Sequence, residues 1–91
     1  MAQKQYAEAL QLLERATRLA PGSFDAWANL GYLLNETGRY QEGVVACDRA
    51  LALDPKKANA WKNKAIALRA LGRTAEAEAA EQRAKALGWT G

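Results

Sequence analysis

Two tryptophans, Trp27 and Trp61, lie 34 residues apart, and that offset recurs along the chain. Gly38 and Gly72 share it, as do Pro21 and Pro55, Arg39 and Arg73, and Asn29 and Asn63. Some registers occur three times: Glu8, Glu42 and Glu76; Arg15, Arg49 and Arg83; Ala16, Ala50 and Ala84; Leu19, Leu53 and Leu87. Tyr6 matches Tyr40, with Thr74 as the third copy. A chain of this kind repeats one supersecondary unit. Such a unit cannot cover its own apolar face, so it must stack on its neighbours.

Within each period the spacing is helical. Trp27, Leu30, Gly31 and Leu34 fall at i, i+3, i+4 and i+7, one face of an α-helix. Tyr40, Gly43, Val44, Cys47 and Leu51 form a second such face. Gly38 and Gly72 stand where a helix should end, because glycine takes the left-handed conformation at low cost. Pro21 and Pro55 stop the second helix of each unit. The alanine-rich composition favours the same reading, since alanine loses no rotamer freedom on ordering. The pattern predicts an all-α fold of five helices, at 3–20, 24–37, 40–53, 58–71 and 74–87, arranged as stacked antiparallel hairpins.

The W-x-x-L-G run Trp27-Ala28-Asn29-Leu30-Gly31, the turn Gly38-Arg39-Tyr40-Gln41-Glu42-Gly43 and the tail Arg49 to Pro55 resemble the tetratricopeptide repeat family. The likeness covers nearly the whole chain as one domain: a half repeat at 3–23 and full repeats at 24–57 and 58–91. Departures from the family pattern occur at Leu34, where tyrosine is frequent, and at Gly43 and Cys47, which replace alanine and an aromatic. Lys64 and Ala65 replace Leu-Gly in the last repeat, and Trp89 takes the place of the loop proline.

Chemistry of other kinds is largely excluded by what is missing. The chain has no histidine and a single cysteine, so an intrachain disulfide, His-based metal clusters and His-activated nucleophiles are ruled out. Cys47 falls on an inward helix face and reads as a small buried hydrophobe. Glu8, Glu42 and Glu76 sit on successive units and read as partners for nearby cations. Gly38 and Gly72 are single helix stops rather than a phosphate loop. No enzyme activity and no cofactor are expected. The N-terminal stretch alternates charged with apolar residues, without the apolar core of a signal peptide or membrane span. A cytoplasmic protein is therefore expected.

The two ends differ. On successive second helices Leu10 becomes Val44 and then Glu78, and Leu13 becomes Cys47 and then Glu81. The last helix thus reads as a cap with a wetter outer face. The first helix lacks its hairpin partner, which leaves Tyr6, Ala9, Leu10 and Leu13 short of a neighbour. Three readings follow: a tolerated cap, a homo-oligomer built through Tyr6, Leu10 and Leu13, or a fragment of a longer array.

The resemblance implies that the first helices line a concave groove that holds a peptide or helix of a partner protein. The residues expected on it are Asn29, Tyr32 and Asn35 from one helix and Asn59, Lys62, Asn63, Ile66 and Arg69 from the next. Between Lys56 and Arg73 the chain carries six basic residues and no acidic one, so an acidic peptide is the expected partner. A solvated helix face is the competing reading. Asn29, Lys62 and Asn63 partly resemble the family's clamp for a terminal carboxylate, but that clamp draws on three first helices and this chain has two. Nucleic-acid binding is disfavoured, because Tyr32 is the one aromatic expected in the groove and base stacking needs more.

Overall fold

Glycine and proline set the helix ends. The computed structural model describes residues 3–89, so Thr90 and Gly91 of the last expected repeat lie outside the described residues. Five helices and no strand form among them: α1 (Gln3–Leu19), α2 (Phe24–Glu36), α3 (Tyr40–Leu53), α4 (Ala58–Ala70) and α5 (Thr74–Ala86), each within a residue of the expected bounds. Gly38 and Gly72 have φ of 80° and 79°. There the chain reverses and the next amide reaches back to the helix: Arg39 N–H donates to Leu34 C=O and Arg73 N–H to Leu68 C=O, both at 2.9 Å. Such a closure supplies partners for carbonyls left open at a helix end.

Helix starts are marked as well. The Ser23 hydroxyl accepts from Ala26 N–H at the head of α2, the usual N-cap. α3 and α5 have no side-chain cap. Instead Arg39 makes a two-pronged hydrogen bond to Glu42, and Arg73 does the same to Glu76. Each carboxylate sits in a first turn, where the helix dipole favours negative charge. The Arg39 hydrogen bond holds the Glu42 carboxyl below its ordinary range.

The helices stack as hairpins: α2 against α3, α4 against α5, α3 against α4, and α1 against α2. The backbones of α2 and α4 also come close, whereas those of α1, α3 and α5 stay apart. This gives an inner row of α2 and α4 backed by a row of second helices, the α-α superhelix expected. One core cluster joins Leu10, Leu30, Leu33, Leu34 and Ala46. A second joins Val44, Ala65, Ala67, Leu68, Ala77 and Ala80. Trp27 packs on the first and Trp61 on the second. Each indole N–H donates to the carbonyl of the proline before its helix, Trp27 to Pro21 at 2.9 Å and Trp61 to Pro55 at 2.7 Å. Arg49 lies 5.6 Å from the Trp27 ring centre, and Arg83 lies at the same distance from Trp61. Both are within cation–π range.

Two glycines let α2 and α3 touch. A Cβ placed on Gly31 would lie 2.8 Å from Cys47 Sγ. One placed on Gly43 would strike Asn35 Oδ1. The space left by Gly43 is thus filled by the Asn35 amide, whose Nδ2 donates to the Asn63 backbone carbonyl at 2.9 Å. That bond ties one repeat to the next. One period later the pair is Arg69 and Ala77; the alanine methyl is fully buried, and Arg69 turns instead to Glu81.

The first helix leaves its expected residues covered to different degrees. Leu10 is 6% exposed in the core shared with α2, and Tyr6, Ala9 and Leu13 pack against the same cluster. Docking on α2 thus buries Leu10 and leaves Tyr6, Ala9 and Leu13 partly open, and Tyr6 and Leu10 line a cleft with Glu36 and Thr37. The large apolar side chains exposed on the described part of α1 are Leu12 and Leu19.

Three outcomes follow. Gly43→Ala should lower stability in urea by about 2 kcal/mol, from overpacking and loss of the Asn35 bond; adding Asn35→Ala should recover part of it, and simple additivity would refute the contact. Trp27→Ala and Trp61→Ala should each cost about 3 kcal/mol, the low end for tryptophan because both indoles are only partly buried. The Cys47 thiol is fully buried, and burial pushes its pKa up to about 12. Its labelling by a disulfide reagent at pH 8 should therefore track global unfolding in urea; fast labelling of the native chain would contradict this packing.

Candidate functional site

The spacing of α2 and α4 opens a cleft of about 450 Å³ lined by Tyr32, Asn35, Glu36, Tyr40, Lys62, Asn63 and Ile66. Tyr32 and Ile66 are 53% and 48% exposed. Lys62 is half-buried and has no ion pair among the described residues. The Glu36 carboxylate beside Tyr32 raises the pKa of its phenol, first by its charge and also by hydrogen bonding. Tyr32 therefore stays a neutral aromatic with a polar tip at ordinary pH.

A second cleft, of about 320 Å³, adjoins the first. Lys62, Ala65, Ile66, Arg69, Ala70, Glu81 and Trp89 line it. Lys62 and Ile66 belong to both clefts, so the two form one continuous trough along the exposed side of α4.

The expected groove residues divide into three groups. Tyr32, Lys62 and Ile66 come together with side chains open to a ligand. Asn35 and Asn63 line the trough but are buried, and the Asn35 amide is engaged with the Asn63 backbone. The Asn35 side chain thus ties α2 to α4, and Asn63 contributes its backbone carbonyl to that bond. Asn29 and Asn59 are exposed on their helices but are not among the residues lining either cleft. Asn29 and Asn63, equivalent in sequence, thus have different surroundings, the first exposed and the second buried.

Charge is redistributed by folding. Of the six basic residues from Lys56 to Arg73, Lys64 pairs with Asp48 at 2.7 Å, Arg73 with Glu76 at 2.7 Å, and Arg69 with Glu81. Lys57 lies over the Phe24 ring. Half of the stretch that is uniformly basic in sequence is thus paired by α3 and α5, and of its cations at the trough Arg69 is held by Glu81 while Lys62 has no ion pair among the described residues. The sequence reading missed Tyr40 and Trp89 as lining residues. Tyr40 opens α3, at the turn beside the cleft. Trp89 is brought in by Gly88, whose φ is 110°, and by its own N–H donating to Ala84 C=O at 3.0 Å. The glycine directly before the tryptophan was the signal available for that turn. Among the described residues no group of acidic, cysteine or histidine side chains could hold a metal ion, and no helix is long and apolar enough to cross a membrane.

Comparison with known proteins agrees with this architecture. Two tetratricopeptide-repeat family models match, one over residues 1–58 and the other over residues 46–79. No curated protein sequence matches significantly. Among solved structures, MamA MSR-1 superposes with a TM-score of 0.86 at 26% identity over 91% of this chain and 48% of its own. Two crystal forms of MamA AMB-1 superpose with a TM-score of 0.87, one at 27% identity over 92% of this chain and 50% of its own, the other at 28% over 91% and 49%. The chain spans about half the length of these MamA chains. With the repeat written in the sequence, the hairpin stack in the structure and a family model over more than half the residues, the chain belongs to the tetratricopeptide repeat family, a family of protein-interaction modules.

Proposed function

We propose that the chain grips an extended segment of a partner protein in the cleft between α2 and α4. The observation that carries this reading is the joint presence there of two half-exposed apolar side chains, Tyr32 and Ile66, and a lysine, Lys62, that lacks an ion-pair partner among the described residues. Covering apolar surface contributes about 25 cal/mol per Å², so an apolar side chain set between Tyr32 and Ile66 supplies affinity. A carboxylate next to it on the segment supplies orientation through Lys62. The partner's acidity is narrower than the sequence suggests: one carboxylate rather than an acidic run, since Arg69 is already held by Glu81.

Self-association is the second reading, and the observation favouring it is the exposure of Leu12 and Leu19 on α1, 64% and 79%. Those two, rather than Leu10, would carry it. Sedimentation velocity at rising concentration decides it: a strict monomer at high concentration removes this reading.

The test of the peptide reading is selection from a displayed library of random peptides. Selected sequences should place an aspartate or glutamate beside an apolar residue. Lys62→Glu should reverse the charge preference, and Ile66→Asp should weaken a selected peptide at least about tenfold, or about 1.4 kcal/mol. Selected peptides whose binding survives Lys62→Glu combined with Ile66→Asp would overturn the assignment of this cleft.

A further inference from the structure

Leu19, Leu53 and Leu87 occupy one register of the repeat, and each follows an arginine by four residues, Arg15, Arg49 or Arg83. That separation sets both on one side of a helix. Leu19 and Leu53 end α1 and α3, and Leu87 caps α5. Successive helices run antiparallel through short loops, so α1, α3 and α5 point the same way and their C-terminal ends share one edge of the stack. All three leucines are exposed there, at 79%, 43% and 40%. Leu53 decides what this exposure means. Its helix has α2 on one side and α4 on the other, so the side chain is open because of where the register points, not for lack of a neighbour. None of the three leucines lines either cleft of the trough.

Charge at this edge is sorted as well. The cations held in ion pairs are Arg39, Lys64, Arg69 and Arg73. None of these belongs to the last turn of α1, α3 or α5, or to the loop after it. The cations that do belong there are Arg18, Lys56, Lys57, Arg83 and Lys85. All are exposed, and none has an ion pair among the described residues. Lys57 and Arg83 lie over the rings of Phe24 and Trp61, which leaves their charge uncompensated. Two carboxylates share the edge: Asp54, which accepts the Lys56 backbone N–H, and Asp25 in the first turn of α2. The balance is positive. A helix dipole draws cations to a C-terminus, but it gives no reason for leucines to stand among them in water.

We infer that this edge docks on a bilayer rich in anionic lipid, with Leu19, Leu53 and Leu87 entering the headgroup layer and the unpaired cations meeting the lipid anions. Shape and charge select that occupant. The leucines project from the ends of separate helices rather than from the walls of a groove, so they meet a broad surface. A second copy, edge to edge, would set cation against cation. A nucleic acid would satisfy the cations and leave the leucines in water. An anionic bilayer satisfies both, since its surface attracts basic residues and its interfacial layer takes up apolar side chains. The contact is peripheral, because no helix among the described residues is long and apolar enough to cross a membrane. It uses none of the side chains of the peptide cleft and stands whether or not that cleft binds a segment.

The experiment sediments the whole chain with vesicles of phosphatidylcholine, either alone or mixed with phosphatidylserine. The chain should pellet with the acidic vesicles only, and less as salt rises. Lys56→Glu combined with Lys57→Glu should lower vesicle affinity by about tenfold or more. Leu19→Ser combined with Leu53→Ser should lower it by about tenfold as well, while Tyr32→Ala and Ile66→Asp leave it unchanged. A second readout does not depend on the stability of the serine variant. Cys47 is fully buried, so an environment-sensitive dye attached to native Leu53→Cys marks position 53 alone. Its emission should shift to the blue on acidic vesicles and stay unshifted with soluble polyphosphate. The membrane face is overturned if acidic vesicles do not pellet the chain, if the serine variant pellets as the parent does, or if the dye stays in water on the vesicles. Polyphosphate binding that matches vesicle binding and ignores the leucines would mark a polyanion site in its place.

Discussion

The stack depends on how closely α2 approaches α3. Gly31 lets the Cys47 sulfur lie against the α2 backbone, and Gly43 leaves room for the Asn35 amide. With that room Asn35 can reach across to the Asn63 carbonyl, so a contact inside one hairpin controls the joint between hairpins. Side chains one methyl larger would push the helices apart in an interior that packs like a crystal. The amide would then lose the only carbonyl it holds. The spacing of α2 and α4, and with it the width of the trough, follows from these two small residues.

The electrostatics show the same dependence on packing. A run of six cations without an acid looks like an anion-binding surface when it is read in one dimension. Folding sets Asp48 of α3 beside Lys64, and Glu76 and Glu81 of α5 beside Arg73 and Arg69. Exposed pairs of this kind add little to stability, but they remove charge from the field a ligand meets. What remains at the trough is the Lys62 ammonium and the Glu36 carboxylate beside Tyr32, set among apolar side chains, a mixed surface rather than one suited to a polyanion.

The first and last described helices differ in what they leave exposed. At the N-terminal end α1 uses its apolar face on α2 and leaves Leu12 and Leu19 in solvent. At the other end the carboxylate of Glu81 takes the place of the buried Cys47 and draws Arg69 to itself, while Glu78 faces solvent. Gly88 turns the chain back so that Trp89 lines the cleft beside this pair.

The helices, their ends and their order were legible in the sequence because each rests on local chemistry. Apolar spacing sets a helical face, a left-handed glycine sets a stop, and proline breaks a ladder. The 34-residue offset adds that identical units must stack. Tyr32, Lys62 and Ile66 were found for the same reason, since their face follows from helical periodicity. The sequence did not determine that Asn35 and Asn63 are buried, that Leu10 lies inside, or that Arg69 is neutralised, nor that Tyr40 and Trp89 line the trough. Each of these turns on a side chain from another helix, or on the path a loop takes, and only tertiary packing decides which residues far apart in the chain share one environment.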